Sequence, residues 1–99
     1  MNGSSRGEIM KKAEYKIPGG KLLAAELDVE KEKLIYVKIY GDFFMHPEPS
    51  IYDLETALKG IPVDSITEIV HRFFNENEII LFGVSPDDFV TVLELCLSS

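Results

Sequence analysis

The chain carries one cysteine, Cys96, and so can form no disulfide within itself. It has no run approaching the ~18 apolar residues that a membrane span requires, and its first residues lack the apolar stretch of a secretory signal. With neither targeting segment nor paired thiols, the sequence reads as cytoplasmic. Basic residues are scarce in its second part: positions 41–99 hold two Lys/Arg against eleven Asp/Glu, whereas positions 1–40 hold eight against six. The net charge of −7 repels a phosphate-rich polymer, which excludes nucleic acid as the natural partner. The acidic part is either a set of solvated helix faces or a docking surface for a basic partner.

The constellations that carry chemistry are also missing. His46, His71 and Cys96 are scattered, without the spacing of a metal site, so no metal is expected. Cys96 falls on an apolar helical stripe, where a cysteine serves as a small apolar filler, and His71 sits on a helix flank. Neither has the neighbouring base or acid of a nucleophilic site, and no catalytic residue is assigned. Pro18-Gly19-Gly20-Lys21 offers glycines and a lysine but no following Ser/Thr, so it is not a Walker-type phosphate loop. It is either a turn with a solvated lysine or a lysine presented on a mobile loop toward an anion.

What is present is a single domain's worth of pattern. Ninety-nine residues suffice to bury roughly two thirds of the surface the unfolded chain exposes. Residues 1–10 are small and polar without period and read as a disordered leader or expression remnant, with the domain at 11–99. Lys12 to Ile17 alternates with Ala13, Tyr15 and Ile17 on one face, and Pro18-Gly19-Gly20 breaks it. Lys21 to Glu30 alternates again, with Leu23, Ala25, Leu27 and Val29 inward. Lys31-Glu32-Lys33 lacks the Asn-Gly signal of a tight primed turn and predicts a slightly longer hairpin. Ile35, Val37 and Ile39 then form the inward row of a third strand, completing an antiparallel meander with one wet face.

Past Gly41 the spacing becomes helical. Ile51, Leu54, Ala57 and Leu58 make one face, stopped by Gly60. Ser65 and Glu68 have the form of a capping box ahead of Ile66, Ile69, Val70, Phe73 and Phe74. Glu78 to Val84 is a short apolar run, a fourth strand or an extended linker. Ser85-Pro86-Asp87-Asp88 is a strong helix start, followed by the stripe Phe89, Val92, Leu93 and Cys96. Three strands and two to three helices predict a small α+β two-layer domain with the helices on one face of the sheet.

The chain pivots between these regimes at Gly41-Asp42-Phe43-Phe44-Met45-His46-Pro47-Glu48. Gly41-Asp42 suits a turn out of the third strand, where the Asp42 carboxylate can accept backbone N–H groups two residues on. Phe43 and Phe44 are adjacent in extended chain and must point opposite ways, so one anchors the core and the other faces outward. That outward ring is either one of the scattered apolar residues any surface exposes or, beside a polar rim, a partner or ligand surface.

Ile17-Pro18-Gly19-Gly20-Lys21-Leu22, Ile39-Tyr40-Gly41-Asp42-Phe43-Phe44, Pro47-Glu48, Leu54 to Gly60 and Phe82 to Phe89 resemble, in order and spacing, the accessory domain of lipoate-protein ligases. The resemblance runs from Lys12 to Leu97. It implies a fold similar to that of iron–sulfur scaffold and sulfur-acceptor proteins, and a domain that occurs either as the C-terminal part of a ligase or as a separate small subunit. It further implies a subunit of a ligase, without catalytic residues of its own, paired with a catalytic subunit as a heterodimer. Together they would use ATP and Mg²⁺ to make lipoyl-adenylate from lipoate and transfer the lipoyl group to a lysine of an acceptor domain. On this resemblance Gly41, Asp42, Phe43, Phe44, Pro47 and Glu48 form the partner-docking edge, and Lys21 contacts phosphate. The competing readings are a stand-alone protein-interaction module and a sulfur or iron–sulfur scaffold.

Overall fold

The computed structural model describes residues 10–19 and 21–99. The leader expected over residues 1–10 therefore lies outside the described residues, Met10 apart, as does Gly20 of the Pro-Gly-Gly break. Three strands, β1 (Lys11–Lys16), β2 (Leu22–Glu30) and β3 (Lys33–Gly41), form an antiparallel sheet in the order β1-β2-β3. A second, two-stranded ribbon pairs β4 (Phe44–His46) with β5 (Ile80–Phe82). The helices are α1 (Ser50–Leu58), α2 (Ile66–Glu76) and α3 (Pro86–Ser98). This is the expected small α+β domain: α3 lies across β1 and β2, α1 lies against β3, and α2 packs on both helices. Of the 78–84 run only Ile80–Phe82 is strand and the rest is linker, because β4 supplies a pairing partner for three residues that their apolar period alone could not reveal.

The inward row of β2 follows the alternation as far as Leu27; beyond it Val29 is only half-buried and Asp28, read as outward by parity, is buried, where the register shifts. Leu23, Ala25 and Leu27 of β2 are fully buried, and they meet Leu54, Leu58, Ile66, Val70, Phe89, Val92, Leu93 and Cys96 of the helices in one core. Each buried leucine or phenylalanine contributes about 2 kcal/mol relative to an exposed one. β3 requires a correction. Asp28 pairs with Tyr36 but Val29 pairs with Leu34, so Ile35 is an extra residue in a β-bulge. The inward row is Leu34, Val37 and Ile39, and Ile35 is only half-buried.

The hairpin between β2 and β3 is tighter than its sequence predicts. Glu30 pairs directly with Lys33, leaving Lys31 (φ 53°) and Glu32 (φ 64°) as a two-residue loop in the left-handed region. Tertiary contacts hold this unfavourable conformation: the Glu32 carbonyl accepts the Val63 N–H at 2.9 Å, and Lys33 bridges to Pro62. The same segment closes the outer edge of β3, where the Leu34 N–H donates to the Ile61 carbonyl at 2.9 Å. Farther along that edge, the Glu55 carboxylate of α1 accepts the Ile39 N–H at 2.7 Å.

Helix ends follow local chemistry with one exception. Lys59 is extended and Gly60 has φ 93°, so α1 stops as expected. At α3, Ser85 is extended and the Asp88 carboxylate accepts its N–H (2.8 Å) and its hydroxyl (3.1 Å). The capping box expected at Ser65 does not form. Ser65 ends a 3₁₀ turn (Val63–Ser65) with φ −100° and ψ 4°, not the extended geometry of an N-cap, and Glu68 instead pairs with Arg72 one turn on. At the far end of the chain, Lys11 Nζ donates to the Ser99 carbonyl at 3.2 Å, joining the start of β1 to the end of α3.

Candidate docking site

Gly41 ends β3 where the chain passes hard against β2. The Asp42 N–H donates to the Leu22 carbonyl at 2.7 Å. A Cβ at Gly41 would collide with the Leu22 carbonyl oxygen and stand 3.0 Å from Leu23 Cα, so only glycine fits. Asp42 turns the chain through this backbone bond, and among the described residues its carboxylate takes no hydrogen bond of the kind its sequence position suggests.

The two phenylalanines part as extended backbone requires. Phe43 turns inward and meets Phe89 edge-on, with ring centroids 5.5 Å apart, and Phe89 stacks in turn on Phe74 at 5.5 Å. Phe44 turns outward and is 47% exposed. In the ribbon, Phe44 lies opposite Phe82 and His46 opposite Ile80, so these four side chains share the outer face while Met45 and Leu81 point inward. The Phe44 ring lies 5.7 Å from that of Phe82 and parallel to the His46 imidazole at 6.5 Å. With Phe82 62% and Ile80 53% exposed, the ribbon presents a contiguous apolar face to solvent, the signature of an interaction surface.

A cleft of about 230 Å³ opens beside this face, lined by Tyr40, Gly41, Phe43, Phe44, Glu48 and Ile51 among others. Pro47 and Glu48 form the turn before α1: the Pro47 carbonyl accepts the Ser50 N–H at 3.0 Å, and both residues are exposed. The fold thus gathers the pivot residues around one cleft and one apolar face. Lys21 stands at the same end of the molecule, reached through Leu22. Its aliphatic stem lies over Gly83, where an added Cβ would come within 3.1 Å of Lys21 Cγ. Among the described residues no carboxylate pairs with its ammonium group.

Among the described residues no three His, Cys, Asp or Glu side chains come together to hold a metal ion. Cys96 is fully buried, with its thiol donating to the Ala25 carbonyl at 3.2 Å, and burial pushes that thiol up to about 11. Tyr40 lines the cleft with its hydroxyl donating to Glu26 at 3.2 Å. Burial first, then the Glu26 bond, raises it above the ordinary tyrosine value. His71 is not simply a solvated flank, because its Nε2 lies 2.7 Å from Asp87 Oδ1 and ties α2 to the start of α3. Among the described residues no helix is long and apolar enough to cross a membrane.

Ile80 and Phe82 contribute most of the exposed apolar face, and the pivot motif does not announce them. The signal available was parity: once Glu78 to Val84 is read as strand, alternate residues of an apolar run must face out.

The likeness to known proteins agrees with this geometry. The chain is similar to Lipoate-protein ligase A subunit 2 of Thermoplasma acidophilum, 38% identical over 74 residues, covering 75% of this chain and 78% of that protein. Its fold matches a chain from the solved archaeal lipoylation system of the same organism, a bi-partite lipoate protein ligase with its E2 lipoyl domain. That match has a TM-score of 0.79 and 36% identity, over 85% of this chain and 93% of the other. The family model of the bacterial lipoate protein ligase C-terminus matches residues 8–93. With that family model matching most of its length and a relative 38% identical over three quarters of it, the chain belongs to the bacterial lipoate protein ligase C-terminus family.

Proposed function

We propose that this chain is the accessory, non-catalytic subunit of a two-part lipoate-protein ligase, working beside a separate catalytic subunit. The observation that carries the reading is the extent of the likeness to a relative that is itself a subunit: 75% of this chain aligns with 78% of subunit 2 of the Thermoplasma ligase. The complex takes lipoate and Mg-ATP, joins the lipoate carboxylate to the α-phosphate with release of pyrophosphate, and passes the lipoyl group of the adenylate to a lysine amine of an acceptor domain with release of AMP. This chain has no convergent donor set for Mg²⁺ among its described residues, and its cleft is lined mainly by apolar side chains, so no chemical step is assigned to it.

Its part is positional. The face made by Phe44, Ile80 and Phe82 docks on the catalytic subunit, covering its active site so that water is excluded and its loops are ordered during adenylate formation. Gly41, Asp42, Phe43, Pro47 and Glu48 hold that face in place, and Lys21 stands at its margin as the contact to phosphate. The face then moves aside for the acceptor domain. A sulfur-acceptor role is disfavoured, because it requires an exposed reactive thiol and Cys96 is fully buried.

The test is lipoyl-adenylate formation by the cognate catalytic subunit, with and without this chain, from lipoate and Mg-ATP. Adenylate that depends on both chains supports the reading. Equal activity of the catalytic subunit alone, with no complex formed, reduces this chain to an interaction module of another purpose. Unchanged assembly and activity in both Lys21→Ala and Phe44→Ala would remove the residue assignments.

A further inference from the structure

The strand edges of this domain are treated in different ways. β1 shows exposed Lys12, Glu14 and Lys16 along one side, charges that discourage an added strand. The outer edge of β3 is occupied: Leu34 is bonded to Gly60 and Ile61, and the Ile39 N–H is taken by Glu55. β5 has neither device. From Ile79 to Val84 there is no charged residue, and β4 is its main neighbour among the described elements. Its outward side chains adjoin Phe44 in an exposed apolar face. An apolar edge with neither device, in a domain whose three-stranded sheet has one at each edge, is where an extended segment adds by main-chain pairing.

We infer that β5 is a strand-addition site, on which an extended segment of the catalytic subunit pairs with the free edge of Ile80–Phe82 and lays alternate apolar side chains beside Ile80 and Phe82. The identity of the partner rests on the accessory-subunit reading, and the mode of binding does not. Charge selects between occupants. Glu76 and Glu78 precede β5, and Asp87 and Asp88 follow it. Two copies paired antiparallel about Leu81 would bring the acids that flank the strand, Glu76 and Glu78 at the end of α2 and beyond it and Asp87 and Asp88 in the first turn of α3, toward those of the other copy, each chain already at −7. A foreign strand with Lys or Arg at both ends meets opposite charge there.

The test is hydrogen exchange on the complex with the cognate catalytic subunit, read over residues 79–83 and compared with the free chain. Strand addition predicts strong slowing of those amides on complex formation. In parallel, the double variant Ile80→Lys with Phe82→Lys, at two exposed positions, weakens association about tenfold or more while its thermal melt stays near that of the parent. Tyr36→Lys, at an exposed position of β3 in the other sheet, leaves affinity unchanged. A complex that forms and supports adenylate formation without slowing residues 79–83 overturns strand addition and leaves the accessory reading intact. Failure of any complex to form overturns both. A free chain that sediments as a dimer with residues 79–83 already protected overturns the choice of occupant.

Discussion

Phe43 meets Phe89 edge-on at 5.5 Å and 88°, while its neighbour Phe44 stands outside the core. Two consecutive, identical side chains therefore have separable tasks. Phe43→Ala empties a half-buried site and should cost about 2 to 3 kcal/mol in denaturant unfolding, at the low end for a phenylalanine because the ring is not wholly buried. Phe44→Ala should change stability by less than about 1 kcal/mol and lower affinity for the catalytic subunit instead. Calorimetric titration beside urea melts separates the two effects, and equal stability losses would contradict the division.

Gly41 admits no side chain because the Leu22 carbonyl occupies the space of a Cβ. Both neighbours in that collision are backbone, which cannot rotate away. Gly41→Ala should therefore cost about 3 kcal/mol, through overpacking at a strained position. Thermal unfolding measures it, and a variant as stable as the parent would mean that the β3 exit can shift.

The Lys31-Glu32 turn holds two ordinary residues in the left-handed region. Glu32→Gly should raise stability by about 0.5 to 1 kcal/mol, the relief of the Cβ penalty less the extra entropy of an unfolded glycine. Its carbonyl bond to Val63 is main-chain and survives the substitution. Denaturant midpoints for the pair of proteins decide the sign.

Cys96 predicts a pH dependence. Burial holds the folded thiol at about 11, above the ~8.5 of a free cysteine, so the folded state binds its proton more tightly. The stability this contributes is fully present below the unfolded value and is lost as pH rises through about 11. Stability measured from pH 8 to 11 should fall, and the fall should be smaller in Cys96→Ala. A thiol reagent at pH 8 should label the native protein only as fast as it unfolds. Rapid labelling would restore the sulfur-acceptor reading.

The longer elements were legible because a repeated spacing averages over local exceptions. The stripes Leu54 to Leu58, Ile66 to Phe74 and Phe89 to Cys96 each span at least one full turn, and all three became helices. What escaped was decided by tertiary partners. Ile35 looked inward by parity until the bulge opposite Asp28 and Val29 shifted the register. Ser65 had the right chemistry for a cap, but a 3₁₀ turn reached it first. Lys31-Glu32 lacked turn residues, yet Val63 and Pro62 impose the tight loop from outside. At the site, the pivot carried its own signal in two adjacent aromatics. The other half of the apolar face lay in β5, whose three residues are too few for any period to declare itself.

The bond from Lys11 to the Ser99 carbonyl brings the first strand and the last helix within one side chain's reach. A tether leaving the domain from either end therefore starts from nearly the same point in space. Whether such a domain travels as a free polypeptide or fused through its front or its back, the volume it sweeps around a partner is nearly the same, and local concentration is set by tether length rather than by order along the gene.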